Sequence, residues 1–213
     1  MSTILCYGDS NTHGFDPATG DRFPSDLRWP GVLRHELGEG FEIVEEGLNG
    51  RTTIWDDPFV DGRNGRTYLV PCLLSHAPVD VVVLMLGTND LKAIFRVGAA
   101  EIASGLATLV ELAQRSSAGP SGLAPRVLLV VPPPVGAGSN HAELWGFGRA
   151  LEESRRLSRL CQSVAEDAPC ALLDAGAIVS PSPVDGIHLD AAGHGRLAQA
   201  VAAEVRHLVL ATS

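Results

Sequence analysis

Apolar residues along this chain fall into two patterns. Five short stretches have the length and composition of strands: Ile4 to Tyr7, Phe41 to Glu45, Val79 to Leu86, Arg126 to Val131 and Cys170 to Leu173. Between them lie longer stretches of helical character, about Leu27 to Leu37, Arg66 to His76, Ala99 to Arg115, Gly148 to Asp167 and Ala191 to Leu210. A short apolar run suits a strand, and a longer stretch with apolar spacing near 3.6 suits a helix packed on one face. Val79 to Leu86 is apolar at almost every position and rich in valine, as a parallel strand covered on both faces must be. Phe41 to Glu45 alternates apolar and acidic residues, which suits a strand nearer a sheet edge. Ser25-Asp26 is expected to cap the first long helix, whose Trp29, Val32, Leu33 and Leu37 share one face and which ends at Gly38 and Gly40.

The alternation of strand and helix predicts a three-layer α/β/α sandwich around a five-stranded parallel sheet. The flavodoxin-like strand order 2-1-3-4-5 is the natural topology. A single domain is expected over residues 1–213, with no internal repeat and no low-complexity tract. The remaining segments read as loops: Asn11 to Leu27, Ile54 to Asn64, Ser116 to Pro125, Val135 to Trp145 and Pro181 to His188. Long loops after strands lie at the edge where open α/β sheets bind ligands.

Composition narrows the function. Hydrophobic residues make up 45% and charged residues 19% of the 213, a globular balance. The formal charge of −9, with no basic run, speaks against a nucleic-acid partner and against an anionic membrane surface. No segment approaches transmembrane length, and the N-terminus lacks the pattern of a signal peptide, so a cytoplasmic location is expected. Cys6, Cys72, Cys161 and Cys170 form no Cys-x-x-Cys and read as reduced structural thiols.

The chemistry gathers at the ends of strands. Ile4 to Tyr7 stops at Gly8-Asp9-Ser10, Phe41 to Glu45 is followed by Gly47-Leu48-Asn49-Gly50-Arg51-Thr52-Thr53, and Val79 to Leu86 by Gly87-Thr88-Asn89-Asp90. In a 2-1-3 order these three turns are neighbours. Ser10 is the first residue after a rigid strand that can reach a substrate, but a serine hydroxyl needs a base, an orienter for that base and donors for an oxyanion. Asp185-Gly186-Ile187-His188, after the fifth strand, can supply the first two: a carboxylate holding imidazole Nδ1–H leaves Nε2 to serve as base. Asp9 and Asp90 read as hydrogen-bonded carboxylates that hold turns.

Taken in order, these blocks resemble the SGNH (GDSL) hydrolase family. Gly8-Asp9-Ser10 is similar to its nucleophile block, Gly87-Thr88-Asn89-Asp90 to its asparagine block and Asp185-Gly186-Ile187-His188 to its acid and base block. In the glycine block the residue followed by x-Thr-Thr is Gly50. The resemblance implies a serine esterase or acyltransferase without metal or other cofactor. Ser10 would be the nucleophile, His188 the base and Asp185 its orienter. Ser10 N–H, Gly50 N–H and the Asn89 amide would form the oxyanion hole. Further matches at Arg28-Trp29-Pro30-Gly31-Val32-Leu33, Glu45-Glu46-Gly47-Leu48 and Arg51-Thr52-Thr53 are similar to the arylesterase and acyltransferase (perhydrolase) branch. That branch implies a small-molecule ester substrate and a homo-oligomer, commonly an octamer. The first loop departs from the branch at His13 and Phe15, where its best-known acyltransferase carries tryptophan. That departure bears on acyl transfer and leaves hydrolysis untouched.

His13 reads either as an ordinary loop histidine or as a pocket-lining side chain. Phe15, Trp145 and Phe147 are candidates for the pocket wall, and Arg51 is open between a structural role and a contact with an acyl acceptor. His188, His194 and Asp190 fit no metal motif. A Gly-x-Ser-x-Gly elbow, a P-loop and His-Glu-x-x-His are absent. Gly136-Ala137-Gly138 lacks the third glycine of a dinucleotide fingerprint. The rival classes are a polar-ester or carbohydrate acetylesterase and a flavodoxin-like binding module without catalysis. The binding module has no need of Ser10, Asn89 and His188 together.

Overall fold

The computed structural model describes residues 1–136, 143–148 and 150–210. Residues 137–142 of the loop expected after the fourth strand, residue 149 at the expected start of the next helix, and the tail 211–213 lie outside the described residues. Five strands form one sheet: β1 Ser2–Gly8, β2 Phe41–Gly47, β3 Val81–Met85, β4 Arg126–Val131 and β5 Ala171–Asp174. Their order is β2-β1-β3-β4-β5 and every pairing is parallel, as the alternation predicted. The helices are α1 Ser10–His13, α2 Trp29–Leu37, α3 Gly65–Ser75, α4 Ala99–Arg115, α5 Ala150–Asp167 and α6 Ala191–Leu210.

Side chains alternate across the sheet, so successive strand residues feed opposite cores. Leu5, Tyr7, Val82, Leu84, Leu129 and Val131 pack with Leu69 and Leu73 of α3, Ile102, Leu106 and Leu109 of α4, and Leu157 and Cys161 of α5. Ile4, Cys6, Val81, Val83, Leu128 and Val130 pack with Trp29 and Leu33 of α2 and Leu197, Val201 and Val205 of α6. This gives the expected three layers.

Two local expectations need correction. Ser25-Asp26 does not cap α2. The helix begins after Arg28, whose side chain makes no capping bond, and Pro30 sits in the first turn, where its missing N–H is no loss. The loop expected from Asn11 begins instead with the helical turn α1. Asp9 caps it by accepting the Asn11 amide, and Gly14 ends it with a left-handed φ of 88°. Four residues are too few to show a helical period in sequence.

The register brings the three glycine turns together. Gly8 pairs with Gly47 on one side and with Met85 on the other, so β1, β2 and β3 end at one level. Polar side chains then tie the turns to each other. Arg51 is buried, donates through Nη1 to the Gly8 carbonyl at 2.9 Å and to the Glu46 carbonyl, and lies over the Tyr7 ring at 4.1 Å. Its role is structural. Asp90 accepts the Thr53 amide at 3.0 and 3.1 Å, and the Thr53 hydroxyl as well, joining the turn after β3 to the turn after β2. Burial pushes both Asp9 and Asp90 up to about 6.

α1 lies directly on the end of β2. A Cβ placed on Gly47 would sit 2.1 Å from the His13 nitrogen and 2.4 Å from the Thr12 carbonyl carbon, both backbone. Gly47→Ala must therefore push α1, and Ser10 with it, off the sheet. We expect a loss of about 1–3 kcal/mol of stability in urea unfolding, the usual cost of overpacking. Asp9 gives a second prediction. Its folded value of about 6 stands above the unfolded value of about 3.9, so between these pH values the folded chain holds a proton that the unfolded chain releases. Stability from this group is present below about pH 4 and is lost as the pH rises through about 6. Asp9→Asn, neutral throughout, should remove that slope. The stability of wild type minus variant should fall by up to about 3 kcal/mol between pH 4 and pH 7, read from urea unfolding across the range.

Candidate active site

Ser10 opens α1 immediately after β1, and His188 stands in the loop between β5 and α6. The Ser10 hydroxyl is 2.8 Å from His188 Nε2, and His188 Nδ1 is 2.6 Å from Asp185 Oδ2. The second oxygen, Asp185 Oδ1, accepts the backbone amides of Ile187 at 2.8 Å and His188 at 2.9 Å. Burial alone would raise the Asp185 carboxyl. The bonds from the His188 ring and from the two amides outweigh it and hold the group below the usual carboxylate range. An ionised Asp185 accepting Nδ1–H leaves Nε2 with its lone pair toward Ser10, so the hydroxyl donates to the ring. An imidazole held in this way can take the hydroxyl proton as the oxygen attacks.

Asn11, one residue past Ser10, fastens the loop. Its Oδ1 accepts the Leu189 amide at 2.9 Å and its Nδ2 reaches the Ile187 carbonyl at 3.4 Å. These bonds flank His188 on both sides.

Ser10 and His188 lie at a cavity of about 250 Å3 that Asn89 and Gly50 also line. Asn89 Nδ2 donates to the Arg51 carbonyl at 3.1 Å, which orients the amide and leaves its second hydrogen for another acceptor. Gly50 has a φ of 81°, a left-handed conformation that glycine adopts without strain. Phe15, Trp145 and Phe147 line the same space. The Phe15 ring is 4.4 Å and the Trp145 ring 5.8 Å from the His188 ring, centroid to centroid, so the imidazole is walled by aromatic surface.

His13 stands apart from this cavity. It ends α1, where α1 rests on β2, and its half-buried ring turns to the backbone of Gly47; burial pushes its pKa down. His194 is fully buried, accepts the Trp29 amide at 3.3 Å through Nδ1, and is pushed down to about 4 by burial, so it is a neutral core residue. Three lining residues went unnoticed in the sequence: Asn49, Lys92 and Ile187. Each has a positional signal, since Asn49 adjoins Gly50, Lys92 lies three residues past Asn89, and Ile187 precedes His188.

Comparison with known proteins agrees with this geometry. The GDSL-like lipase/acylhydrolase family matches residues 6–196. An aryl esterase from M. smegmatis is 41% identical, superimposes with a TM-score of 0.93, and is matched over 98% of this chain and 100% of its own. A carbohydrate acetylesterase from Sinorhizobium meliloti is 39% identical with the same TM-score of 0.93, over 98% of this chain and 100% of its own. A lipolytic G-D-S-L family member from Veillonella parvula DSM 2008, 17% identical with a TM-score of 0.69 over 96% and 98% of the two chains, shares the fold. No curated protein matches the chain. From the first strand to the last helix, this chain belongs to the GDSL-like lipase/acylhydrolase family and is a serine ester hydrolase.

Proposed function

We propose that the chain hydrolyses esters of short acyl groups through an acyl intermediate on Ser10. The observation that carries this reading is the unbroken chain from Asp185 to His188 to Ser10, at 2.6 and 2.8 Å, opening into a small cavity. His188 Nε2 takes the Ser10 proton while Oγ bonds to the ester carbonyl carbon. The carbonyl oxygen becomes an oxyanion held by Ser10 N–H, Gly50 N–H and the Asn89 amide. His188 then gives its proton to the departing alkoxide, the tetrahedral centre collapses, and an alcohol leaves. Water enters, loses a proton to the same Nε2, and releases the acid from Ser10 in the reverse order of steps. Asp185, anionic throughout, stabilises the imidazolium formed in each half. Preorganised donors aimed at developing charge supply much of the rate in such a site.

Cavity size and wall chemistry support the substrate class. About 250 Å3 lies below the usual range for pockets that take drug-sized ligands. Phe15, Trp145, Phe147 and Ile187 suit a short acyl chain or an aromatic alcohol. The M. smegmatis relative, an aryl esterase, supports the aromatic alcohol. A second reading, removal of acetyl groups from carbohydrate, is favoured by the polar Asn49 and Lys92 beside the apolar walls and by the S. meliloti relative. Acyl transfer to an alcohol or peroxide would use the same intermediate, with a nucleophile other than water. Self-association belongs to the same reading, since Leu144, beside Trp145, is 79% exposed. A cytoplasmic location is in keeping with four free thiols.

Release of p-nitrophenol should be fast from the acetyl and butyryl esters and slow from the octanoyl ester, and Ser10→Ala should lower kcat by about 10^4-fold or more. Equal rates for wild type and variant would remove Ser10 from the mechanism. Asn89→Ala should lower kcat by about 10^2 to 10^3 with a smaller change in KM, the signature of a donor used mainly in the transition state. Acetate release from peracetylated xylose, measured beside phenyl acetate, separates the two substrate classes.

A further inference from the structure

The edge strand β2 carries two adjacent acids with different surroundings. Glu45 faces three arginines, with Arg28 at 2.5 Å, Arg34 at 3.3 Å and Arg22 at 3.5 Å. Glu46 points to the opposite face of the sheet. Among the described residues its carboxylate meets neither lysine nor arginine, and its ion-pair partner is His76 Nε2 at 3.2 Å. His76 is the C-cap of α3, and four residues earlier, on the same face, stands Cys72. One donor atom each from Glu46, Cys72 and His76 lie within 4.8 Å of one another. The site is separate from the cavity at Ser10 and shares no lining residue with it.

We propose that Glu46, Cys72 and His76 bind a divalent cation of the zinc class, with a fourth position open to solvent. Carboxylate, thiolate and imidazole together are the donors that zinc takes, and three protein ligands with one open position are common. A tetrahedral metal at ordinary bond lengths holds its nitrogen and oxygen ligands about 3.3–3.5 Å apart. The His76 to Glu46 separation of 3.2 Å is already close to that edge. The Cys72 sulfur, within 4.8 Å of both other donor atoms, is the third ligand and closes toward them on binding. Two donors four residues apart on a helix lie one turn above the other, the usual way for one helix to supply two ligands. Side-chain exposure of 35% for His76 and 20% for Glu46 leaves an approach from solvent.

The local field favours a cation on balance. Cys72 and His76 sit at the C-terminal end of α3, where carbonyl dipoles point outward. Arg51 opposes, with its guanidinium 5.6 Å from the centroid of the neighbouring Tyr68 ring, but that group already serves the Gly8 and Glu46 carbonyls. Thiolate and carboxylate together outweigh this single charge. Burial keeps the Cys72 thiol protonated in the metal-free chain, so binding forms the metal–sulfur bond and releases one proton to solvent. A cation here would join the edge strand to the helix beside it. The proposal is independent of the esterase reading.

The test is a cobalt(II) titration of the whole chain, stripped with chelator and kept reduced. The expected result is a saturable sulfur-to-cobalt charge-transfer band at one cobalt per chain, displaced by zinc. Cys72→Ser should abolish the band. His76→Gln, at a partly exposed cap position, should weaken cobalt binding and cancel the rise in Tm that zinc gives the wild type. No saturable band, or a band that survives in Cys72→Ser, would overturn the proposal.

Discussion

Asn11 joins two parts of the chain 178 residues apart. It accepts the Leu189 amide and donates to the Ile187 carbonyl, so the peptide groups on either side of His188 are held to the residue that follows Ser10. Both bonds are buried, where a neutral hydrogen bond is least exchangeable with water. Without this clamp the loop after β5 would meet Ser10 through the His188 ring alone. With it, the imidazole approaches a hydroxyl whose position is set by β1. The Asp185 carboxylate then needs only to fix the tautomer and the angle of the ring, which it does with backbone amides on its other oxygen.

The same edge is stiffened from the other side by charged groups that take no part in the chemistry. Arg51 is buried and satisfies carbonyls at the ends of β1 and β2. Asp90 satisfies the Thr53 amide and hydroxyl, and Asp9 caps α1. Burying charge is unfavourable unless it is hydrogen-bonded, and all three side chains are. They lock three turns that hydrophobic packing cannot reach, because turns at a sheet edge have little apolar surface. The placement of Ser10, Gly50 and Asn89 thus depends on polar groups that hold the turns around them.

Around that rigid edge the walls are softer in chemistry. Phe15 comes from the segment after β1 and Trp145 and Phe147 from the one after β4; the Phe15 and Trp145 rings meet edge-on at 6.2 Å, and all three line the cavity. Aromatic side chains cover the imidazole on one side of the cavity, while Asn49 and Lys92 make a polar side. Relatives that act on aryl esters and on carbohydrate acetates share nearly the whole fold with this chain. A fold that holds its nucleophile at a strand end and its cavity walls on loops can vary its substrate without moving the nucleophile.

By itself the sequence determined the layers and the strand order, and it marked the candidate reacting groups. Unbroken apolar runs and helical spacing are local signals, and Gly8-Asp9-Ser10, Gly87-Thr88-Asn89-Asp90 and Asp185-Gly186-Ile187-His188 are contiguous blocks whose chemistry is legible in the residue types. Tertiary structure decided what depends on where a side chain points. Arg51 turned inward because the ends of β1 and β2 offered carbonyls beside a tyrosine ring, which the type of residue cannot announce. His13 left the cavity and Asn49, Lys92 and Ile187 entered it, because a wall built from separate loops takes its members from the packing of distant segments. Glu46 met Cys72 and His76 across the space between a strand and a helix for the same reason: periodicity gives the face of an element, and only packing decides what that face meets.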